Sequence, residues 1–288
     1  MRKLFSAFCN NLIYLKKDVV FYSDEKPHVV YNVRADKVDR AMRRGKIPKI
    51  IISENTENWP VVAVLLAQEP QHGKSCYYIY DHVVLSLLAH KLYPVFISYD
   101  DIYEQLEAAN PAGIYLPGGA FGDFFSASTN ADKVASWEDM RRAFAYRVMI
   151  DYAAHYKIPT LGICAGEQEL AGFLGGKITF NFSDKHKGGV EHKVLISKNS
   201  LLHRIVGIGE IKVNSYHSDI VDKKSGGDFK ITATSADGAI EAIEPNKPWS
   251  DFVLGVQWHP ELDAYKDGKN PDWKIFDAFA KAVWKYNK

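Results

Sequence analysis

From residue 60 onward the apolar positions fall into two alternating patterns, short continuous runs and helical stripes. Val61 to Ala67 is a continuous apolar run, the mark of a strand buried on both faces of a parallel sheet. Tyr78 to Leu92 sets Val83, Val84, Leu87, Leu88 and Leu92 on one stripe and predicts a helix. Val95 to Ile97 is a second strand, Asp101 to Ala109 a short helix opened by acidic residues, and Gly113 to Leu116 a third strand running into Pro117-Gly118-Gly119. Trp137 to Tyr156 predicts a long helix. It feeds Thr160 to Ile163, a short apolar run after the turn signal Ile158-Pro159, which reads as a buried strand. A helix follows at once from Ala165 to Leu174, with Leu170, Phe173 and Leu174 at helical spacing.

Strand and helix in alternation predict an α/β fold: an open, mostly parallel sheet of the flavodoxin-like kind with helices on both faces. Beyond Leu174 the pattern changes to short strands over Lys177 to Phe180, Lys193 to Ile196, Ile208 to Val213, Lys230 to Ser235 and Ala239 to Ile243. Turns such as Asp237-Gly238 separate the later ones as in antiparallel hairpins. Val253 to Trp258 returns to a buried strand that ends at His259-Pro260-Glu261, and Trp273 to Trp284 closes the chain as an amphipathic helix. Residues 1–58 differ. Asp36 to Lys49 is basic and polar (Arg40, Arg43, Arg44, Lys46, Lys49) with thin apolar content, and Ile50 to Ile52 suits a strand. No aromatic residues interleave the basic cluster, so it reads as a solvated appendage or cap and not as a nucleic-acid surface. The organisation expected is an N-terminal extension over 1–58 and one domain over 59–288.

Composition narrows the class. Residues AVILMFWYC make up 47% of the 288 positions, enough for a large core, and a net charge of +1 gives no pull toward nucleic acid or anionic membranes. Cys9, Cys76 and Cys164 form no C-x-x-C pair and no disulfide framework, which suits a reducing compartment. The first residues resemble a signal peptide, but Asn10 and Asn11 interrupt the apolar run, no small-x-small cleavage site follows, and no stretch is long enough to span a bilayer. The expectation is a soluble, cytoplasmic protein.

Candidate chemistry sits at strand ends, where open α/β sheets place their sites. Gly162 and Gly166 flank Cys164 in a G-x-C-x-G pattern between a strand and a helix, the setting of a sharp, strained turn that lifts a nucleophile clear of the sheet. The helix N-terminus there favours the thiolate. His259 offers a base and Glu261 a carboxylate to fix its tautomer, while backbone N–H groups near Gly119 and Ala165 suit an oxyanion hole. Each element also has an ordinary structural reading: a buried cysteine beside a Gly-rich turn, a loop His-Pro dipeptide, a Gly-Gly strand end.

Together, Pro117-Gly118-Gly119, Gly162 to Gln168, Asn214-Ser215-Tyr216-His217, Asp237 to Ile243 and Gly255 to Glu261 resemble the motifs of the class I glutamine amidotransferase-like superfamily. Within it the match is to the gamma-glutamyl hydrolase-type peptidases, similar to gamma-glutamyl-GABA hydrolases, over about residues 60 to 262. The resemblance implies a Cys164–His259–Glu261 triad, a glutamyl-side contact from Gln168, and substrate contacts at Gly118 and along the backbone near Tyr216 and His217. It implies acyl transfer on a small gamma-glutamyl substrate with no metal or organic cofactor, and a homodimer by analogy.

The chain departs from the family pattern at three places. Ala165 replaces a larger residue. Glu167 replaces an apolar one, and would raise the cysteine pKa if it faced the site, although its i+3 position leaves room for it to point to solvent. The loop Ala120 to Phe125 lacks an acidic residue directly after the glycines. His192 and His186 read as loop histidines, the latter solvated between Lys185 and Lys187, and Cys9 and Cys76 as passive thiols. Three functions follow: a free-standing gamma-glutamyl hydrolase, a glutaminase subunit that donates ammonia to a partner enzyme, or a non-catalytic module on the same fold. In the last two the basic N-terminal segment would be a docking surface.

Overall fold

A computed structural model describes residues 58–71, 74–119, 137–265 and 270–288, together with three short strands before them. Those strands, β1 (Val19–Ser23), β2 (Lys26–Val29) and β3 (Lys49–Ile52), form a small antiparallel sheet in the order β2-β1-β3. The strand expected at Ile50 to Ile52 is thus present. Most of the basic segment before it, the loop from Ala120 to Phe125 and Cys9 lie outside the described residues.

The main body follows the alternation in the sequence. In order come β4 (Val61–Leu65), a hairpin of β5 (Ala67–Gln71) and β6 (Lys74–Tyr78), α1 (Asp81–Ala89), β7 (Tyr93–Ile97), α2 (Ile102–Ala109) and β8 (Gly113–Leu116). Then follow α3 (Trp137–Tyr156), β9 (Thr160–Ile163), α4 (Ala165–Phe173), β10 (Ile178–Thr179), β11 (Val190–Ile196), α5 (Leu201–Val206) and β12 (Glu210–Ser215). The chain ends with β13 (Ile220–Val221), β14 (Phe229–Ser235), β15 (Ile240–Pro245), β16 (Val253–Val256) and α6 (Pro271–Tyr286).

One nine-stranded sheet runs β12-β11-β14-β15-β16-β9-β8-β4-β7. The run from β16 to β7 is parallel, and β15, β14, β11 and β12 continue it antiparallel. The later short strands therefore extend the parallel sheet, with β10 and β13 paired apart from it.

Strand residues alternate between two cores because successive side chains leave opposite faces. Val62, Val64, Tyr115, Leu161 and Val256 face α1 and α6, whose Leu87, Phe276, Phe279 and Val283 fill that layer. Ala63, Leu65, Ile114, Leu116 and Val253 face α2, α3 and α4. Truncating Phe279, fully buried, would cost about 3–5 kcal/mol. The helix expected from Tyr78 starts at Asp81, because Lys74 to Tyr78 pair back onto Ala67 to Gln71. Helix α5 was not anticipated, although its signals are present: the Ser200 hydroxyl accepts the His203 N–H at 2.9 Å, and Gly207 closes it at φ +79°.

Candidate active site

Cys164 stands between β9 and α4 with φ +51° and ψ −107°, a conformation that costs energy for any residue with a side chain. Its N–H still donates to the Val256 carbonyl at 2.8 Å, and its carbonyl already accepts from Glu167 and Gln168 in the first helical turn. The flanking glycines are sterically required. A Cβ on Gly162 would lie 2.7 Å from the Gly166 carbonyl oxygen, and one on Gly166 would collide with the carbonyl of Leu116 in β8. The G-x-C-x-G spacing thus lets the helix press onto the sheet with the free thiol at its head. The Ala165 N–H belongs to the first helical turn, whose donors have no partner within the helix.

His259 lies three residues beyond β16, at the neighbouring strand end. Its Nδ1 is 2.7 Å from Glu261 Oε1, the two residues bracketing the Pro260 that opens a 3-10 turn. Burial alone would lower the imidazole pKa. Glu261 and then Cys164 reverse that and hold it well above 6.5. Asn214, from the end of β12, grips the His259 backbone at both ends, its Oδ1 accepting the N–H at 3.0 Å and its Nδ2 donating to the carbonyl at 2.8 Å. Ser86 Oγ, on α1, donates to the Glu261 carbonyl at 3.0 Å. The positions of Asn214 and Ser86 were not singled out from the sequence. Asn214 lay inside the Asn-Ser-x-His motif, whereas Ser86 carried no signal.

The Pro117-Gly118-Gly119 segment closes the third side. A Cβ on Gly118 would lie 2.6 Å from His259 Cε1 and 3.2 Å from Cys164 Cβ, so the imidazole, the thiol carbon and this backbone meet at one point. Gly119 takes φ +145°, and a side chain there would strike the Arg142 guanidinium. Arg142, buried on α3, donates to the Gly118 carbonyl at 2.9 Å and to Tyr146 Oη at 3.1 Å, while Tyr146 donates to the Pro117 carbonyl at 2.5 Å. Two side chains of one helix thus hold the carbonyls of this turn.

The remaining candidates are buried to different degrees. Gln168 donates through Nε2 to the Asp219 carbonyl and to Gln257 Oε1, both at 2.8 Å, so its amide is fixed by the protein itself. Tyr216 is 52% exposed and presents its ring perpendicular to His259, with centroids 5.6 Å apart. His217 is buried, and its N–H donates to the His186 carbonyl at 2.9 Å.

One open reading of the sequence is narrowed and another is corrected. Glu167 does not reach solvent: it is wholly buried, neither carboxylate oxygen has a hydrogen-bond partner, and its Cγ lies 2.7 Å from where Gly255 would carry a Cβ. Burial, then Glu241 and Cys164, raise its pKa well above the ordinary value. His186 is no solvated loop residue but a buried one, with Nε2 3.0 Å from Asp237 Oδ2. His192 is partnered, its Nε2 2.8 Å from Glu241 Oε1.

The family model described as Peptidase C26 matches residues 60–261. The Schizosaccharomyces pombe protein named "Putative glutamine amidotransferase PB2B2.05" is 36% identical over 186 residues, covering 59% of this chain and 69% of that one. Gamma-glutamyl-gamma-aminobutyrate hydrolase PuuD of Escherichia coli is 26% identical over 242 residues, covering 73% of this chain and 89% of the relative. Among solved structures, the CTPS glutaminase domain of Trypanosoma brucei with bound acivicin superposes with a TM-score of 0.55 at 18% identity, over 78% of this chain and 94% of that one. That likeness concerns the fold.

Proposed function

The chain belongs to the Peptidase C26 family, and from that membership we propose that it is a cysteine-dependent hydrolase of gamma-glutamyl amide or peptide bonds. The observation that carries this reading is the meeting of Cys164, on its strained turn, with a His259 imidazole bonded to Glu261 across the Gly118 backbone. In the proposed reaction His259 takes the Cys164 proton and the sulfur adds to the gamma-carbonyl carbon. The backbone N–H groups of Gly119 and Ala165 receive the developing oxyanion. The carbon–nitrogen bond then breaks, His259 returns the proton to the leaving amine, and a glutamyl thioester stays on Cys164. Water, deprotonated by His259, adds to the thioester and releases glutamate and the thiol.

On this reading Gly118 and Gln168 border the glutamyl group, with the Gln168 oxygen as the acceptor left after its N–H groups are spent on Asp219 and Gln257. The exposed Tyr216, beside buried His217, flanks the mouth. Residues 59–288 would form the hydrolytic unit, with 1–58 an extension. The name of the S. pombe relative supports a second reading, a glutaminase subunit that passes ammonia to a partner enzyme.

The test is intact-protein mass after exposure to diazo-oxo-norleucine, on wild type and Cys164→Ala in parallel, followed by a panel of gamma-glutamyl amides. One adduct on wild type and none on the variant, with turnover by the isolated chain, is the expected result. An adduct without turnover would favour the partner-dependent glutaminase. No adduct would overturn both.

A further inference from the structure

Four side chains from four different segments converge beside the site, in a place the hydrolytic chemistry does not use. His186 comes from the 3-10 turn Asp184–His186, His192 from β11, His217 from just beyond β12, and Glu241 from β15. Glu241 is fully buried and its Oε1 is the common point. His192 Nε2 lies 2.8 Å from it, His186 Nδ1 3.7 Å and His217 Nε2 3.8 Å. The ligand atoms of His186, His192 and Glu241 all lie within 4.8 Å of one another.

The hydrogen bonds on the far side of the rings decide what faces Glu241. His186 gives its Nε2–H to the Asp237 carboxylate at 3.0 Å, so in the neutral ring Nδ1 is a lone pair, with Ser215 Oγ 3.3 Å away and Glu241 Oε1 at 3.7 Å. His217 gives its Nδ1–H to the Asp219 carbonyl at 3.3 Å, which leaves Nε2 as a second lone pair. That Nε2 has no hydrogen-bond partner, and neither has Glu241 Oε2. Buried acceptors turned toward a buried carboxylate oxygen are unfavourable unless a cation or a proton lies among them.

The geometry points to a site for a divalent metal ion of the zinc class, held by His186 Nδ1, His192 Nε2 and Glu241 Oε1, with His217 Nε2 beside it at 3.8 Å from that oxygen. A tetrahedral ion with bonds of about 2.0–2.1 Å has ligand–ligand edges of about 3.3 Å. The distances from Glu241 Oε1 to His192 and His186, 2.8 and 3.7 Å, bracket that length. Imidazole nitrogens with one carboxylate suit zinc and its neighbours cobalt, nickel and copper. Asp237 behind His186 is the outer carboxylate that such histidines ordinarily carry. The three ligands come from a turn and two strands of one layer, so the ion ties those segments together. It fastens the 184–186 turn to β11 and β15, and the His186 carbonyl in turn accepts the His217 N–H next to Tyr216, which stands edge-on to His259.

The test is a Co2+ titration of the full chain carrying Cys164→Ala, which removes the thiol as a competing ligand, followed by visible absorption and melting temperature. The expected result is tetrahedral d–d absorption that saturates at one equivalent, a raised melting temperature, reversal by chelator, and displacement by Zn2+. Glu241→Gln should abolish the spectrum. Should that variant fail to fold, Asp237→Asn serves instead, since Asp237 is 38% exposed at its side chain and touches no metal; it should weaken binding by about 10–100-fold. A folded protein whose spectrum and melting temperature ignore both ions would overturn the proposal, leaving a cluster that holds only protons. So would Co2+ binding unchanged in Asp237→Asn and in His192→Gln.

Discussion

Gly118→Ala isolates one contact on which the proposed chemistry depends. The Gly118 backbone lies outside the left-handed region, so alanine brings no conformational strain of its own. Its Cβ, however, would lie 2.6 Å from His259 Cε1, where ordinary contact begins at 3.4 Å. The deficit is about 0.8 Å, and the imidazole has little freedom to give it. Glu261 holds Nδ1 at 2.7 Å, and Asn214 holds the His259 backbone from both sides. The Cys164 Cβ, 3.2 Å from the new methyl, blocks escape in the other direction. A misplacement of about 1 Å at reacting groups costs about 100-fold in rate, equivalent to about 2.7 kcal/mol of transition-state stabilisation. The expected outcome is kcat/KM on a chromogenic gamma-glutamyl anilide lowered about 100-fold, a similar slowing of alkylation by diazo-oxo-norleucine, and a melting temperature close to wild type. Activity within about threefold of wild type in a folded Gly118→Ala protein would refute the argument that this backbone sets the imidazole against the thiol.

Further outcomes follow from the same geometry. In Glu261→Gln, His259 loses the main partner that holds its pKa above 6.5, so the alkaline limb of kcat/KM should move to lower pH; an unmoved limb would deny Glu261 that role. The same pair stabilises the fold fully below about pH 6.5 and loses that contribution as pH rises through the raised value. Glu167, raised above its ordinary 4.5, has the opposite origin but also weakens the fold with rising pH, because the unfolded chain releases a proton the native state keeps. Glu167→Gln should therefore gain on wild type by up to about 1.4 kcal/mol per pH unit upward from pH 4.5, in urea melts; a constant difference would contradict it. Arg142→Met removes the grip on the Gly118 carbonyl, and should lower kcat about tenfold with KM nearly unchanged, whereas a pure rise in KM would point to substrate binding instead. Gly255→Ala would press on Glu167 Cγ and cost about 1–3 kcal/mol, a loss that Glu167→Ala should relieve in a double-mutant cycle.

The parallel half of the sheet was legible because its strands are buried on both faces and read as unbroken apolar runs, from Val61 to Leu65 and from Thr160 to Ile163. Strand ends were legible for the same reason, and they carry Gly118, Cys164 and His259 together. Less could be read where the pattern is local and weak. Residues 67–78 hold Gln68, Gln71 and Lys74 with little alternation, so their hairpin was not read at all and only Tyr78 was taken into the following helix. His186 was misread, and the direction of Glu167 was left open, because a charge between polar or glycine neighbours ordinarily means solvent. Their burial depends on Gly255 and on Asp237, residues 88 and 51 positions further along.

The segment Asn214-Ser215-Tyr216-His217 shows how one short motif can serve two neighbourhoods. Extended backbone sends successive side chains to opposite sides. Asn214 clamps the His259 backbone and Tyr216 lies edge-on to the His259 ring. Ser215 donates to the His186 carbonyl at 2.8 Å and lies 3.3 Å from its Nδ1, and His217 points its free nitrogen at Glu241. Alternate residues therefore hold the histidine of the proposed triad on one side and the buried histidine–glutamate cluster on the other. A shift of this segment by one residue would exchange the two sets, removing the clamp on His259 and the ring facing Glu241 at once. Whatever fixes the cluster, an ion among its nitrogens included, fixes the register of the strap that holds His259.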